Sequence, residues 1–245
     1  MAHMECYSTN SQIAAAFRHN ERDIQNPTNV DIDHNRTKDN YQIGIIREHP
    51  FEYYKQRMSE VYCYKRPDVK KMVEWIVTLP KDCPRDQEHS FFQSVYDFMC
   101  DRWVQDDGKS VIGAWVHTDE KKIEGRESRH MHVDFIPIVK DPKHEQGYKI
   151  CKSDFISRSD LRTFHQDLQK YLKEKGIGGS VYTGITAQQQ RNYSVREIKN
   201  GVRNRVEAEA HARQQEEPKR NFFTQKPMDT TVKQQHQEEE QIFDR

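Results

Sequence analysis

The sequence predicts an α+β fold in which an antiparallel pair of strands is flanked by helices. Two apolar, β-forming stretches, residues 109–117 and 131–139, lie on either side of a polar loop at 118–129. A connection of this length most simply joins antiparallel neighbours. An aromatic stripe at helical spacing occupies residues 89–105 and predicts a helix that faces the core.

Composition predicts one globular domain with a polar extension. The chain has 245 residues, of which 34% are hydrophobic and 32% charged, and its mean hydropathy is -1.08. Such a low value indicates that part of the chain stays solvated. We expect an N-terminal segment at 1–16, a domain at 17–205, and a charged, Gln/Glu-rich extension at 206–245 that is helical or disordered.

Membrane insertion and a disulfide framework are not expected. No apolar run approaches the roughly 20 residues that a bilayer crossing requires, and the start lacks the apolar stretch of a signal peptide. We therefore expect a cytoplasmic protein. The cysteines are scattered, without a C-x-x-C pair, which favours reduced thiols over disulfides or a zinc ribbon. They are Cys6, Cys63, Cys83, Cys100 and Cys151.

Charge alone does not indicate a nucleic-acid partner. The formal net charge is zero, and residues 1–205 carry 33 basic against 30 acidic side chains. A DNA-binding protein of this composition would have to use local basic patches.

The first half of the chain mixes helix and strand signals. Residues 1–16 could form a strand, a helix or neither, and the initial MAHM resembles a cloning remnant to which we assign no place in the fold. Residues 30–43 are irregular with strand-like ends. A helix is predicted over 51–66 and a strand in the second half of 69–79.

Capping signals set the predicted helix boundaries. Ser90 and Gln93 have capping-box spacing at the start of the helix over 89–105, and Asp107-Gly108 ends it. Ser159 can cap a second helix that runs to about residue 175, followed by Gly176 in the C′ position. The predicted apolar face of this helix consists of Leu161, Phe164, Leu168, Tyr171 and Leu172.

Three further elements complete the prediction. Residues 148–151 and 179–186 read as short strands, and residues 193–217 as a highly charged helix.

The strands at 109–117 and 131–139 carry a candidate metal site. His130 and His132 are two residues apart, so they share one face of a strand at about 6–7 Å. His117, on the neighbouring strand, can complete a facial set that leaves coordination positions open, as a catalytic metal requires. Imidazole ligands suit Zn, Mn, Fe, Co or Ni, and a phosphate substrate favours Mn²⁺ or Mg²⁺.

The orientation of these side chains follows from strand alternation. We expect the histidines to face outward into a cleft while the alternate residues enter the core. One face would carry His130, His132 and Asp134. The other would carry Met131, Val133 and Phe135.

The acids Asp119 and Glu120 beside His117 leave several readings open. They could be ligands, groups that orient a ligand, or a general base. They could also belong to a solvated turn, and the histidines themselves could be surface or satisfied core groups.

The order of motifs resembles the Mob/Pre plasmid mobilisation and recombination proteins, the MobV class of relaxases. Residues 117–120 read H-T-D-E, and 130–137 read H-M-H-V-D-F-I-P, similar to the family's H-x-D-E…H-x-H motif. Residues 19–22, H-N-E-R, resemble its early H-N-x-R motif, and 32–41 resemble its I-D-x-x-R-T-x-x-N-Y segment.

The third part of the family pattern resembles residues 159–175 and 195–198, so the resemblance spans about 17–200. One departure lies at 121–129, where the loop is about five residues longer than in the family and lacks its proline. Such lengthening costs little loop entropy.

The resemblance implies an HUH-type relaxase fold, an antiparallel sheet with helices packed around it. It implies that His117, His130 and His132 bind a divalent cation, Mn²⁺ or Mg²⁺, with Zn²⁺ less favoured. The activity would be site- and strand-specific nicking and rejoining of single-stranded or supercoiled DNA at the origin of transfer of a plasmid or mobile element. His19 would be the nucleophile and form a covalent 5′-phosphoryl–histidine intermediate.

Other roles are implied in the same way. Arg22 would neutralise the phosphate, and Glu120 would take part in catalysis. The host's conjugation machinery would be a partner, and a C-terminal helical region could support dimerisation. Candidate DNA contacts are Arg36, Lys38, Asn40, Tyr41, Arg191 and Arg196.

Alternatives remain open at this stage. The same histidines with Glu120 as base could form a zinc-dependent phosphodiester hydrolase without a covalent intermediate, or a structural metal could stabilise a non-catalytic DNA-binding module. The competing nucleophiles are tyrosines, and aromatic packing is the commoner explanation for the adjacent pair in the predicted helix. These tyrosines are Tyr41, Tyr53, Tyr54 and Tyr64.

Overall fold

The computed structural model describes residues 2–23, 31–120 and 128–182. Within these ranges the main sheet has five strands in the order β1-β3-β5-β4-β2, and its paired neighbours are antiparallel. The strands are β1 Ala2–Tyr7, β2 Tyr41–Gln42, β3 Met72–Thr78, β4 Val111–His117 and β5 His130–Phe135. A two-stranded sheet pairs β6 Ile138–Lys140 with β7 Tyr148–Ile150.

Helices lie on both faces of the main sheet. The predicted α+β class, an antiparallel sheet with flanking helices, is therefore confirmed. The helices are α1 Asn10–Asn20, α2 Pro50–Ser59, α3 Glu88–Trp103, α4 Lys152–Phe155 and α5 Arg158–Glu174, with 3₁₀ turns at His34–Asp39 and Arg85–Gln87. None of the helices that the structure describes combines the length and apolar character needed to cross a membrane.

One face of the sheet packs against α3 and α5. Trp75 of β3 stacks on Phe164 of α5 and Trp103 of α3, with ring centroids 4.3 and 5.3 Å apart. Offset aromatic stacking of this kind adds to the free energy gained from burying the ring area. This face holds the larger apolar cluster of the domain.

The opposite face packs against α1 and α2. Phe17 of α1 contacts Tyr54 of α2 and Trp115 of β4, with ring centroids 6.4 and 6.3 Å apart. Tyr54 is buried, and the hydroxyl of Tyr53 donates to the carbonyl of Lys109 at 2.7 Å. Packing therefore accounts for Tyr54, while a hydrogen bond holds Tyr53.

The N-terminal residues take part in the fold. Ala2, His3 and Met4 pair with Val77, Ile76 and Trp75 of β3, so leaving MAHM out of the fold was wrong. Thr9 then caps α1, because its side chain accepts from the backbone of Gln12 while the Gln12 side chain accepts in return.

Helix starts differ from the predicted capping residues. Helix α3 begins at Glu88 without a side-chain cap, because the 3₁₀ turn before it leads directly into the helix; the Ser90–Gln93 capping box was wrong. Helix α5 is capped by Ser157 with Asp160, not by Ser159. Leu161 is 38% exposed, so it lies outside the buried face of α5.

Several boundaries are also shifted. The predicted strand at 131–139 is two strands, since β5 ends at Phe135 and β6 begins after Pro137, which has no backbone N–H to donate. Helix α2 ends at Ser59, before the predicted residue 66. Residues 179–182 form no strand. Residues 183–186 and the helix predicted at 193–217 lie outside the described part.

Candidate metal centre

Strand register brings the three predicted histidines together. His117 of β4 lies directly opposite His130 of β5, and His132 lies opposite Trp115. The ring centroids of His117 and His132 are 4.8 Å apart, those of His130 and His132 are 5.0 Å apart, and those of His117 and His130 are 5.2 Å apart. The pattern of alternate faces on β5 is as predicted.

Their accessibility is not as predicted. His117, His130 and His132 are 0%, 7% and 4% exposed, because the end of α1 lies over this part of the sheet. The prediction that they face outward into a cleft was therefore wrong. Periodicity locates the two faces of a strand but does not show what covers each of them.

Helix α1 places a fourth imidazole on the cluster. His19 lies in its last turn, and its ring meets those of His117 and His132 edge-on at centroid distances of 5.5 and 5.3 Å. In contrast to the other three, His19 is only half-buried. It is the most exposed of the four imidazoles.

Each buried imidazole uses one nitrogen as a donor, and this fixes its tautomer. His117 Nε2 donates to the carbonyl of Asn20 at 2.9 Å, His130 Nδ1 to the carbonyl of Ser128 at 3.2 Å, and His132 Nδ1 to Glu74 at 2.7 Å. The tautomers follow from these acceptors, none of which carries a hydrogen to donate. The other nitrogen of each ring therefore carries a free lone pair, namely His117 Nδ1, His130 Nε2 and His132 Nε2.

These lone pairs fit a cation. His117 Nδ1 and His130 Nε2 approach to 3.4 Å, and in the assigned tautomers neither carries a hydrogen. His132 Nε2 is buried without a hydrogen-bond partner. A buried acceptor without a donor costs free energy, and a bound cation would satisfy a nitrogen of this kind.

Among the described residues two donor groups meet the distances of a metal site. One consists of His19, His117 and His132, and the other of His117, Glu120 and His130. Within each group the candidate ligand atoms lie within 4.8 Å of one another. His117 is shared, so the predicted set of three histidines is spread over two overlapping groups, with Glu120 beside it.

Burial favours the neutral form of His19, His117 and His132. It lowers the pKa of His117 and of His132 well below the usual range, and repulsion from the neighbouring imidazoles lowers both further. The pKa of His19 is lowered by burial and then by the charge of Arg22. A neutral imidazole is the form that binds a metal or attacks an electrophile.

Arg22 joins the end of α1 to the acids after β4. It has a left-handed backbone, with φ at 58°. Its guanidinium donates two hydrogen bonds to Asp119, from Nη2 to Oδ1 at 2.7 Å and from Nε to Oδ2 at 3.0 Å. Its Nη1 lies 3.4 Å from His19 Nε2, which assigns Nε2 as the ring nitrogen without a hydrogen.

Asp119 is a buried anchor, whereas Glu120 reaches the imidazoles. Asp119 also accepts from Thr37 at 3.0 Å and Asn40 at 2.9 Å. Burial acts to raise the pKa of Asp119, but the hydrogen bonds from Arg22, Asn40 and Thr37 outweigh it and leave this pKa below its usual range. Glu120 Oε1 lies 3.4 Å from Arg22 Nη2 and 3.7 Å from His130 Nε2.

The lengthened loop leaves the histidine register intact. Residues 121–127 lie outside the described part, but Glu120 bridges to Ile32 and His130 pairs with His117 on either side of them. Both ends of the loop are thus fixed by strand-like hydrogen bonding.

The candidate DNA contacts have different surroundings. Lys38 is exposed on the 3₁₀ turn, and Arg36 is half-buried there. The side-chain amide of Asn40 donates to Asp119 and accepts from the backbone N–H of Thr118, so both of its ends are hydrogen-bonded inside the protein. Tyr41 stacks on His89 at a centroid distance of 5.6 Å. Arg191 and Arg196 lie outside the described residues.

Sequence reasoning missed the residues beneath the cluster. Glu74, Asn20 and Asp134 are buried, Asn20 donates to the other two, and Tyr7 donates to Glu74. The signal was present in Glu74, an acid in the middle of the apolar strand M-V-E-W-I-V-T. Acids are almost never fully buried unless they are paired. A buried Glu74 therefore indicates that a polar or charged side chain lies next to it.

Comparison with known proteins identifies relatives and structural neighbours. Plasmid recombination enzymes from Bacillus thuringiensis and Lactiplantibacillus plantarum are both 26% identical, over 71% and 74% of this chain and 37% and 48% of their own length. One from Streptococcus agalactiae is 27% identical over 67% of this chain and 32% of its own length. The chain thus spans about a third to a half of the relatives it matches.

The relaxase domain of MobM, solved with plasmid origin-of-transfer DNA and manganese, has the same fold. At 21% identity the TM-score is 0.63, with 82% of this chain and 98% of that chain covered. The family model described as plasmid recombination enzyme, Mob_Pre, matches residues 1–200. The chain therefore belongs to the Mob_Pre family of plasmid recombination enzymes.

Proposed function

We propose that the chain is a relaxase domain that nicks and rejoins one DNA strand at an origin of transfer, with His19 as the nucleophile. The observation that carries the proposal is the half-buried, neutral His19 imidazole, which lies against the buried imidazoles of His117 and His132, with that of His130 beside them. The naming of the relatives as plasmid recombination enzymes supports it. So does the MobM domain, which was solved with origin DNA.

His117, His130 and His132 would hold a divalent cation, with Glu120 beside them. Three histidines without thiolates differ from the cysteine-containing ligand sets of structural zinc sites, and MobM was solved with manganese. Phosphate oxygens are hard ligands, so Mg²⁺ would also serve, and Zn²⁺ is less favoured. When bound, the cation supplies a Lewis acid that polarises the non-bridging oxygens of the scissile phosphate.

His19 Nε2 would attack phosphorus. An N–P bond forms, the bond from phosphorus to the 3′ oxygen breaks, and the 3′ oxygen keeps the electron pair and takes a proton from water. The 5′ phosphoryl group stays on the imidazole, whose Nδ1 releases its proton to water. Attack by a 3′ hydroxyl on this phosphoramidate reverses the step, so covalent catalysis preserves the energy of the phosphodiester.

Arg22 would bind the phosphate beside His19. Its two bonds to Asp119 fix the guanidinium plane, and Nη1 stays on the side of His19. An arginine held in this way needs no reorganisation when the phosphate arrives. Glu120 lies between Arg22 and His130, where it would steady both side chains.

DNA flanking the scissile phosphate would run past the 3₁₀ turn and the start of α3. Lys38 and Arg36 would contact the backbone, and Tyr41, stacked on His89, would offer an aromatic surface for an unpaired base. Asn40 would act indirectly through Thr118 and Asp119. Contacts from Arg191 and Arg196, dimerisation through residues 206–245, and engagement with conjugation machinery stay predictions.

The test uses the DNA that surrounds the coding sequence, tiled as end-labelled single-stranded oligonucleotides, with Mn²⁺ or EDTA. We expect a protein–DNA adduct on denaturing gels for the wild type and for His49→Ala, an exposed histidine outside the cluster. His19→Ala and His132→Ala should lose it by at least about 100-fold. Mild acid should release the DNA, because N–P bonds are acid-labile and tyrosine O–P bonds are not.

Other outcomes point to different functions. An adduct at the wild-type level with His19→Ala would rule out the histidine nucleophile. Cleavage without any adduct would indicate a hydrolase, and tight binding without cleavage would indicate a DNA-binding module.

A further inference from the structure

We infer that Glu74 and Asn20 are positioning residues. They fix the imidazoles of His132 and His117 and connect both to the end of α1, the helix that carries the nucleophile His19. This inference rests on the proposed function, since it assigns a role in the same site. Neither residue contacts the reacting atoms, and each acts through the histidines that it holds.

Glu74 determines which nitrogen His132 presents. The carboxylate is 3% exposed and lies on β3, the strand next to β5. Its Oε1 accepts from His132 Nδ1 at 2.7 Å, so the hydrogen stays on Nδ1 and Nε2 keeps its lone pair toward the cluster. A carboxylate behind a ligating imidazole fixes the ring and raises its basicity.

Tyr7 completes the support of Glu74 from the other side. Its hydroxyl donates to Oε2, the oxygen that His132 does not use. Glu5, opposite Glu74 on the edge strand β1, also lies within reach of this hydroxyl at 3.0 Å. Within the described part of the chain, Glu5 makes no hydrogen bond or ion pair with a histidine of the cluster, and it therefore provides a matched control.

Asn20 ties this support to α1. Its backbone carbonyl accepts from His117 Nε2 at 2.9 Å. Its side-chain Nδ2 donates to Glu74 at 3.1 Å and to Asp134 at 2.9 Å. One residue thus holds His117 directly and His132 through Glu74, and it follows His19 in the chain.

This arrangement has a geometric consequence. At the end of α1, the nucleophile His19 directly precedes Asn20, which holds one ligand and the support of a second. Asn20 therefore fixes the position of the helix end relative to His117 directly and to His132 through Glu74. A catalytic constellation must be held to within about 0.5 Å to stay productive.

Burial argues that Glu74 is retained for this role. A buried carboxylate is costly even when it is paired, and well-packed apolar residues in its place are often neutral or stabilising. The neighbouring positions of β3 are apolar and buried. An apolar residue would suit the strand, but it could not orient His132.

The test measures Mn²⁺ binding to the full chain by titration calorimetry, without DNA. We compare the wild type, Glu74→Gln, Glu74→Leu and the control Glu5→Gln. Glu74→Leu should weaken Mn²⁺ binding by about 10–100-fold. Glu74→Gln keeps an oxygen for His132 Nδ1 and should recover most of the loss, whereas Glu5→Gln should match the wild type.

Asn20→Ala probes the link between the two residues. Because Asn20 acts on His132 through Glu74, the double variant with Glu74→Gln should lose less affinity than the sum of the single losses. Circular dichroism and DNA binding in EDTA report whether each variant is folded. If Glu74→Leu does not fold, Glu74→Gln carries the test, with a loss of about threefold or more expected from the missing charge.

The outcomes separate this inference from the proposed function. Wild-type Mn²⁺ affinity in folded Glu74→Leu, or in Glu74→Gln when the former does not fold, would overturn the positioning role. Strictly additive losses would overturn the link through Asn20. Mn²⁺ binding that depends on Glu74 in a protein that forms no DNA adduct would support the positioning role and overturn only the relaxase proposal.

Discussion

At the scale of single residues, the site depends on charges that are buried in pairs. Asp119 and Arg22 have side chains that are 0% and 6% exposed, and their two hydrogen bonds connect the end of α1 to the end of β4. Removing one partner of a buried ion pair is strongly destabilising, because the other charge is left buried without a partner. Replacing both partners by apolar residues of similar volume is often neutral or stabilising.

Asp119→Asn should therefore destabilise the fold by about 3–5 kcal/mol at pH 7. The pKa of Asp119 is lower in the folded chain than in the unfolded chain, where it is about 3.9. The stabilisation is thus complete above that value and is lost as pH falls below it toward the folded pKa. Urea unfolding should show the full difference between variant and wild type at pH 7 and pH 5, and a smaller one at pH 3.

The control for this prediction is Glu120→Gln. Glu120 is 17% exposed in its side chain and only 3.4 Å from Arg22 Nη2, so its loss should cost less than about 1 kcal/mol. Equal costs for Asp119→Asn and Glu120→Gln would show that Asp119 is no anchor.

Local sequence was enough to predict those residues whose type and spacing indicate metal binding. The grouping of His117, His130 and His132 followed from a His-x-His spacing and a neighbouring strand. The support from Glu74 did not, because its partners Tyr7, Asn20 and His132 lie 67, 54 and 58 positions away. Periodicity carries no information about which distant strand becomes a neighbour.

At the scale of elements, helix and strand types were largely predictable and their ends were not. Helix α5 illustrates the reason, since Ser157 and Ser159 both precede an apolar run and either could cap it. The structure uses Ser157, whose side chain accepts from the backbone of Asp160 at 3.1 Å while Asp160 accepts in return. Which serine caps is decided by where Phe164 and Leu168 must face the core.

Ser157→Ala should lower the free energy of unfolding by about 0.5–2 kcal/mol, because it removes the side-chain cap. Ser159→Ala should change it by less than about 0.5 kcal/mol, since Ser159 is not the cap of α5. Urea unfolding of the two variants beside the wild type makes the comparison. A larger effect at Ser159 would contradict the assigned start of the helix.

At the scale of the whole molecule, a bound cation would connect separate parts of the sheet. Under the proposed function its ligands come from the central strands β4 and β5, whose imidazoles are held in turn by α1 and β3. A ligand that binds only the folded state stabilises the entire domain.

Mn²⁺ at about 100 times its Kd should stabilise the domain by about 2.7 kcal/mol, which corresponds to a rise in Tm of roughly 5–10 °C. Scanning calorimetry with Mn²⁺ or EDTA measures this shift. His132→Ala should abolish it, whereas His49→Ala should keep it. A shift that survives in His132→Ala would place the cation elsewhere.

The overall topology was only partly accessible from sequence. The pairing of β4 with β5 followed from the single loop that joins them, whereas β1 pairs with β3 across some seventy positions. The family resemblance gave the correct fold class, but the role of the first strand was missed because its composition did not distinguish strand from helix or disorder.

The strand order also sets when the site can exist during synthesis. His19 leaves the ribosome early, yet its neighbours His117, His130 and His132 follow about a hundred residues later, and β1 has no partner until β3 emerges. At about 5–20 residues per second this delay is on the order of ten seconds. Under the proposed function, a nascent chain would therefore carry its nucleophile well before it could cut the DNA from which it is being expressed.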